Sequence, residues 1–216
     1  MSPPPLSPDK GLIFRITHRD NLGWLLQNGI HCAKAGVLDP AFVAIGNPEL
    51  IDRRRDHPVP HPGQGTLGDY IPFYFTPYSP MLLNIKTGWG GIRARLNEEI
   101  VIIVSSLPQL TAMGVSFIFS DRHAYLATAR FSNDMGDLST WIPWPQLVAK
   151  DFKKDPNRPE KVERYQAEAL AYRHVPTAAY LGVVCSCEAT AETARAIIVR
   201  LGLPVKAFVL PQWYFP

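Results

Sequence analysis

The sequence predicts an α+β fold in a single domain of moderate size, and three observations carry that prediction. The chain has 216 residues, 46% hydrophobic and 19% charged, a composition that supports one well-buried core. Its strand-like and helix-like segments mix irregularly, where a parallel sheet would alternate them regularly. It also contains no internal repeat and no inter-domain linker.

The elements follow in order. Gly11 to Ile16 reads as a first strand. Asp20 to Asn28 reads as a helix, with Asp20 as its N-cap and Gly29 where a C-cap glycine belongs. Pro48 to Arg55 forms a short helix capped by Asn47, because proline suits the first helical position. His57 to Asp69 is rich in proline and glycine and must be a loop. Tyr70 to Thr76 is aromatic and β-branched, a strand, and Ser79 to Lys86 is a helix with Ser79 as cap. Glu99 to Val104 is the strongest strand, and Phe117 to Phe119 is another. Asp121 to Ala129 is compatible with helix, and Asn133 to Arg158 reads mostly as a long ordered loop. Gln166 to His174 is ambiguous: its Ala and Leu favour helix, while Glu168, Leu170, Tyr172 and His174 alternate as on one strand face. Tyr180 to Ser186 is a strand, Ala189 to Leu201 an amphipathic helix ending at Gly202, and Val205 to Leu210 a last strand.

Composition excludes several functional classes. No apolar run is long enough to span a bilayer, and no basic segment precedes an apolar one at the Pro- and Ser-rich start, taken as a flexible segment over 1–10. Three cysteines form no disulfide framework, so a reducing cytoplasm is the expected home. Gly63-Gln64-Gly65-Thr66-Leu67-Gly68 matches a dinucleotide fingerprint in letters only. A Pro- and His-rich loop precedes it and a strand follows, so a loop near a ligand is expected instead. Prolines 58, 60 and 62 deny His57 and His61 a common helix face, and Cys185 and Cys187 lack a second pair at zinc spacing, so no metal is expected. A net charge of +3 is small, but Arg53, Arg54 and Arg55 are consecutive and Lys150 to Arg164 is rich in bases. Such clusters bind phosphates even on a nearly neutral chain.

Five segments, in this order and spacing, resemble one family. They are Thr17 to Asn21, Asn47 to Ile51 with the arginine triplet, Ile71 to Met81, Phe119 to Tyr125, and Arg164 to Leu170. Together they look like DarT, the toxin of a bacterial toxin–antitoxin pair that ADP-ribosylates thymidine in single-stranded DNA. The resemblance implies an ADP-ribosyltransferase fold from 11 to 216, with a split central β-sheet core and flanking helices. It implies NAD as the substrate consumed and a macrodomain antitoxin of the DarG type as partner. It makes Glu168 the catalytic carboxylate, at the start of a strand, and Arg54 the arginine of the active centre. His18, Asn21, Tyr74 and Met81, with Arg54, would hold NAD, and Asp121 and His123 would line the DNA side.

The chemistry gives these residue types a reason. Breaking the nicotinamide–ribose bond develops positive charge at the anomeric carbon, which a fixed carboxylate stabilises. The acceptor ring nitrogen needs a base or an anion-stabilising partner as it loses its proton, and Glu168 is the candidate base. Thymine hides its reacting edge in a duplex, so a single strand or a flipped base is required. Single strands are gripped by bases interleaved with aromatics, and Trp141, Trp144 and Phe152 stand among Lys150, Lys153, Lys154 and Arg158. An ADP-ribosyltransferase acting on protein or RNA would share the NAD half of such a site. A non-enzymatic nucleic-acid-binding module would release no nicotinamide, and an NAD glycohydrolase would release it without an acceptor.

Overall fold

The structure, a computed structural model, describes residues 6–216. Ten strands, β1 (Leu12–His18), β2 (Ile30–His31), β3 (Tyr70–Tyr74), β4 (Ile100–Ser106), β5 (Phe117–Ser120), β6 (Phe131–Ser132), β7 (Glu168–Tyr172), β8 (His174–Val175), β9 (Gly182–Cys185) and β10 (Ala207–Val209), form two sheets among the described residues. The larger is mixed, in the order β10-β9-β4-β1-β3-β7-β5-β6, and β2 pairs with β8 apart from it. Eight α-helices among the described residues surround them: α1 (Leu22–Asn28), α2 (Pro48–Arg55), α3 (Pro80–Thr87), α4 (Leu107–Ala112), α5 (Leu138–Trp141), α6 (Trp144–Val148), α7 (Lys161–Tyr165) and α8 (Glu188–Arg200).

The large sheet is split down its middle. β1 pairs with β4 from Leu12 to His18, yet meets β3 at the single pair Phe14↔Tyr74. Pro72 supplies the reason. A strand residue presents its nitrogen and its carbonyl to the same side, and the Pro72 carbonyl faces β1, where it accepts from Arg15 Nη1 at 2.8 Å. The proline nitrogen on that side has no hydrogen to donate, so no ladder extends there. A side chain spans the gap instead of a backbone bond.

One face of the sheet is covered along its length by a core that includes Ile13, Phe73, Val101, Phe119 and Ala169. On the other face the apolar packing breaks in two. One cluster lies over β1 and β4 with Leu82, Ile85 and Trp213, and the other over β7 and β5 with Val59 and Leu67. The gap between them coincides with the split.

The locally coded elements form as the sequence predicts. Asn47 and Ser79 accept from the backbone N–H of Leu50 and Leu82, each ahead of an N-terminal proline, and Gly29 ends α1 at φ 77°. The ambiguous stretch around Glu168 is strand. Ala169 lies between Phe73 and Phe119, and Ala171 between Ile71 and Phe117, so small residues fit where both neighbours are large. Cross-strand packing thus overrides alanine's helix preference.

Three expectations are corrected. His18, not Asp20, caps the turn into α1, accepting the Asp20 N–H at 3.2 Å. Residues 121–129 are turns rather than helix, because the buried Asp121 carboxylate draws both ends of the loop together. It accepts from the N–H and Nε of Arg130, both at 3.0 Å. Within 133–158, the first half folds into a 3-10 turn followed by α5 and α6. Of the expected flexible segment over 1–10, residues 1–5 lie outside the described chain, while Leu6 packs against two of the core clusters.

Candidate active site

Where the sheet splits, two adjoining cavities of about 180 and 330 Å³ share Arg15, Thr17, Phe42, Ile51, Arg54 and Pro72 as lining. The smaller also contains Tyr74, Met81, His123 and Glu168. Five separate stretches of chain converge there.

Glu168 begins β7, opposite Tyr74 on β3. Its backbone N–H donates to Ser120 Oγ at 3.2 Å, and its side chain is only 3% exposed. Arg54, in the last turn of α2, forks onto it: Nη1 donates to Oε1 at 2.9 Å and Nη2 to Oε2 at 2.6 Å. The Ala124 N–H also donates to Oε1, at 3.0 Å. Burial opposes the charge on Glu168, but the Arg54 guanidinium, aided by His123 and the Ala124 N–H, outweighs it and holds the carboxyl below its ordinary range. Burial likewise opposes the charge on Arg54, and Glu168 reverses that effect, holding the guanidinium above its ordinary value.

His123 Nε2 lies 3.9 Å from Glu168 Oε1, while Nδ1 accepts the Tyr125 N–H at 3.3 Å. The neutral ring therefore carries its proton on Nε2, facing the carboxylate. Burial pushes the His123 pKa down, against the pull of Glu168, which favours this neutral form. The Tyr74 hydroxyl donates to Met81 Sδ at 3.6 Å, and burial, reinforced by Glu168, keeps it protonated. Phe73 and Phe75 point to the opposite face, into the main core.

Two predicted NAD contacts have other partners here. His18 is 4% exposed, and Ile16 and Thr17 line the smaller cavity in its stead. Only its Nε2 lacks a hydrogen bond, 3.6 Å from Glu99 Oε1, so any contact with a ribose hydroxyl falls to that atom. Asn21 is fully engaged. Its Nδ2 donates to Thr17 Oγ1 at 3.0 Å and to the Val43 carbonyl at 2.9 Å, and its Oδ1 accepts from the Val43 N–H at 2.8 Å. This side chain fastens the 42–47 segment, part of the cavity wall, to the end of β1. Asn21→Ala is expected to lower stability by about 1–3 kcal/mol, the cost of orphaned buried backbone groups. It should also raise KM for NAD more than it lowers kcat, which denaturant titration and steady-state kinetics would check.

On the predicted DNA side the structure overturns two assignments. Trp144 is 6% exposed, packs edge-on against Phe75 at 5.7 Å and donates Nε1–H to the Leu138 carbonyl, so it belongs to the core. Asp121 is fully buried; although burial resists its ionisation, the Arg130 N–H and the Arg122 and Arg130 side chains hold it charged as the staple of its loop. Lys153 and Lys154 are exposed. The glycine-rich stretch is a loop beside the larger cavity, where a Cβ at Gly68 would come within 2.4 Å of the Arg55 carbonyl.

Sequence reading missed Arg15. It lines both cavities, and its guanidinium donates to the Pro72 carbonyl; burial lowers its pKa to about 10, so it still carries its charge at neutral pH. The signal was present, since Arg15 is the one charged residue inside an otherwise apolar strand start, Leu12 to Ile16. The Ala124 N–H left no signal, because a backbone donor has no letter of its own. Among the described residues no cluster of three potential metal ligands occurs, and no helix is long and apolar enough to cross a membrane.

A family model described as ssDNA thymidine ADP-ribosyltransferase, DarT, matches residues 14–215. A DNA ADP-ribosyl transferase of Escherichia coli O127:H6 is 47% identical over 210 residues, 97% of this chain and 96% of that protein. One from Thermus sp. (strain 2.9) is 32% identical over 96% of this chain and 98% of its own length. Among solved structures, Thermus sp. 2.9 DarT in complex with ADP-ribosylated ssDNA superposes with a TM-score of 0.82 at 29% identity, covering 96% of this chain and 98% of that one. The same protein in complex with NAD+ gives a TM-score of 0.77, over 96% and 99% of the two chains.

Proposed function

Because the chain belongs to the DarT family of ssDNA thymidine ADP-ribosyltransferases, we propose that its Arg54–Glu168 pair is the centre at which ADP-ribose passes from NAD to thymidine in single-stranded DNA. The observation that carries this reading is the buried carboxylate held by a two-pronged guanidinium at the floor of the split-sheet cleft.

Arg15, Thr17, Tyr74 and Met81 line the cleft on the side where NAD enters, Asn21 fastens its wall, and His18 stands behind Thr17 at the end of β1. Arg15 and Arg54 supply the charge that a pyrophosphate requires. As the bond from the anomeric carbon to the nicotinamide nitrogen breaks, its electron pair leaves with nicotinamide. The Glu168 carboxylate stabilises the positive charge left on the ribose, and it is already oriented, so no reorganisation is needed. A thymine ring nitrogen then bonds to the anomeric carbon and gives up its proton, and Glu168 is the base that takes it. Arg54 and the Nε2–H of His123 flank the same position and offset charge on the base as that proton leaves.

Mass spectrometry of thymidine-containing oligonucleotides after incubation with NAD tests the proposal. Wild type should add ADP-ribose to the base, and Glu168→Ala should not. Modification of protein or RNA pools with no change in DNA would overturn it. A macrodomain antitoxin of the DarG type and a cytoplasmic setting, where NAD and single-stranded DNA are at hand, belong to the same proposal.

Lys153 and Lys154 form the outlying phosphate contacts of this proposal, since both are exposed. Reversing both charges should weaken oligonucleotide binding. Removing two phosphate contacts should also flatten the slope of log K against log salt by about 1.4. Fluorescence anisotropy at several salt concentrations would check this, and an unchanged slope would remove both residues from the interface.

A further inference from the structure

We propose that His57 and Tyr125 form a nucleobase platform on the acceptor side of Glu168, against which a base flanking the target thymidine stacks; this rests on the reading above. The two rings lie side by side, centroids 4.7 Å apart and planes inclined by 46°. They come from distant parts of the chain, and each part is tied to the same carboxylate. Tyr125 follows Ala124, whose N–H donates to Glu168 Oε1. His57 closes its N–H onto the carbonyl of Arg54, whose guanidinium holds both Glu168 oxygens. Two independent tethers therefore keep the ring pair within a short reach of the reacting centre.

The direction is also set. The smaller cavity reaches Glu168 and His123 from the Thr17, Tyr74 and Met81 side, and neither ring of the pair lines it. A donor filling that cavity leaves the Ala124–Tyr125 side for the acceptor strand. Both rings are half-buried, and Tyr125 packs against the cluster of Val59, Leu67 and Ile118, which gives the platform a firm back.

Two other aromatic surfaces are already engaged. His31 and His174 stack, but the Nε2 of each is hydrogen-bonded to the Asn28 carbonyl. Trp141 lies beneath the Arg130 guanidinium. By contrast, neither the Tyr125 hydroxyl nor the His57 ring nitrogens has a hydrogen bond or ion pair among the described residues, so their edges are open to a base. Arg55, two residues before His57, is exposed and adds positive charge to the same stretch of chain. Aromatic faces beside a cation are how single strands are held without duplex geometry.

The test uses single-stranded oligonucleotides with one thymidine, in which the nucleotide on the 5′ or the 3′ side is replaced by an abasic residue. Transfer kcat/KM is measured by mass spectrometry at saturating NAD. Wild type should lose roughly 10-fold when the base on one of the two sides is missing, the size expected for one aromatic–base stack. Tyr125→Ala and His57→Ala should be indifferent to that base, and Tyr125→Phe should regain the discrimination. Wild type indifferent to both abasic positions would overturn the platform. So would a Tyr125→Ala protein that melts as wild type does and still discriminates. If Tyr125→Ala melts early, His57→Ala, which removes the other ring, decides on the same two outcomes. A wild type that modifies no thymidine oligonucleotide at all overturns the underlying reading, and the platform with it.

Discussion

Glu168→Gln is expected to lower single-turnover ADP-ribosyl transfer to a thymidine oligonucleotide by at least about 10²–10³, the usual cost of removing a preorganised charge partner. Glutamine keeps the shape of the side chain and retains an oxygen for the Ala124 N–H, but it carries no charge to meet the ribose cation. Binding should fall much less than transfer, because the lost interaction grows with the charge of the transition state. The variant also leaves Arg54, 13% exposed, without its anion, so some loss of stability accompanies the loss of rate. Near-normal transfer by a folded Glu168→Gln protein would falsify the role assigned to the carboxylate.

Arg54→Met is expected to have an effect of similar size, with a distinctive pH signature. In the wild type Glu168 titrates below its ordinary range, because Arg54 outweighs the burial that opposes its charge. A folded pKa below the unfolded one contributes stability above the unfolded value, and that contribution is lost as pH falls through the folded value. Without Arg54, burial prevails and the Glu168 pKa rises. The sign then reverses. The variant's Glu168 contribution is fully present below the unfolded pKa and is lost as pH rises through the raised folded value. Denaturation midpoints from acid to neutral pH should therefore diverge, wild type holding while Arg54→Met weakens. The acid limb of the variant's pH–rate profile should move upward by the same cause. Parallel profiles for the two proteins would separate Arg54 from the ionisation of Glu168.

Much of the fold is coded locally and was legible. Asn47 and Ser79, each followed by proline, mark helix starts because cap and first-turn preferences depend on a few adjacent residues. The apolar run around Val101 to Val104 marks a central strand for the same local reason. Misreadings fell where a residue's partner is remote. Asp121 looked like a helix start, but its carboxylate is spent on Arg130, nine residues away, which bends the loop back on itself. Trp144 stood among lysines and prolines and read as a surface aromatic. It is buried because its indole N–H finds the Leu138 carbonyl and its ring finds Phe75, contacts invisible in a one-dimensional string.

The sequence by itself determined the family, the positions of the capped helices and of the central β4, and the candidacy of Glu168 and Arg54. Those follow from local propensity and from motifs kept in order along the chain. Only the tertiary structure decided that the two groups meet. They are 114 residues apart, and their contact depends on β3, whose Pro72 opens the sheet, and on β7, whose alanines fit between large neighbours. It also decided that the carboxylate is ionised, that Asn21 holds a cavity wall, and that Arg15 stands in the cleft. Burial and charge pairing are properties of three-dimensional neighbourhoods, and no local preference encodes them.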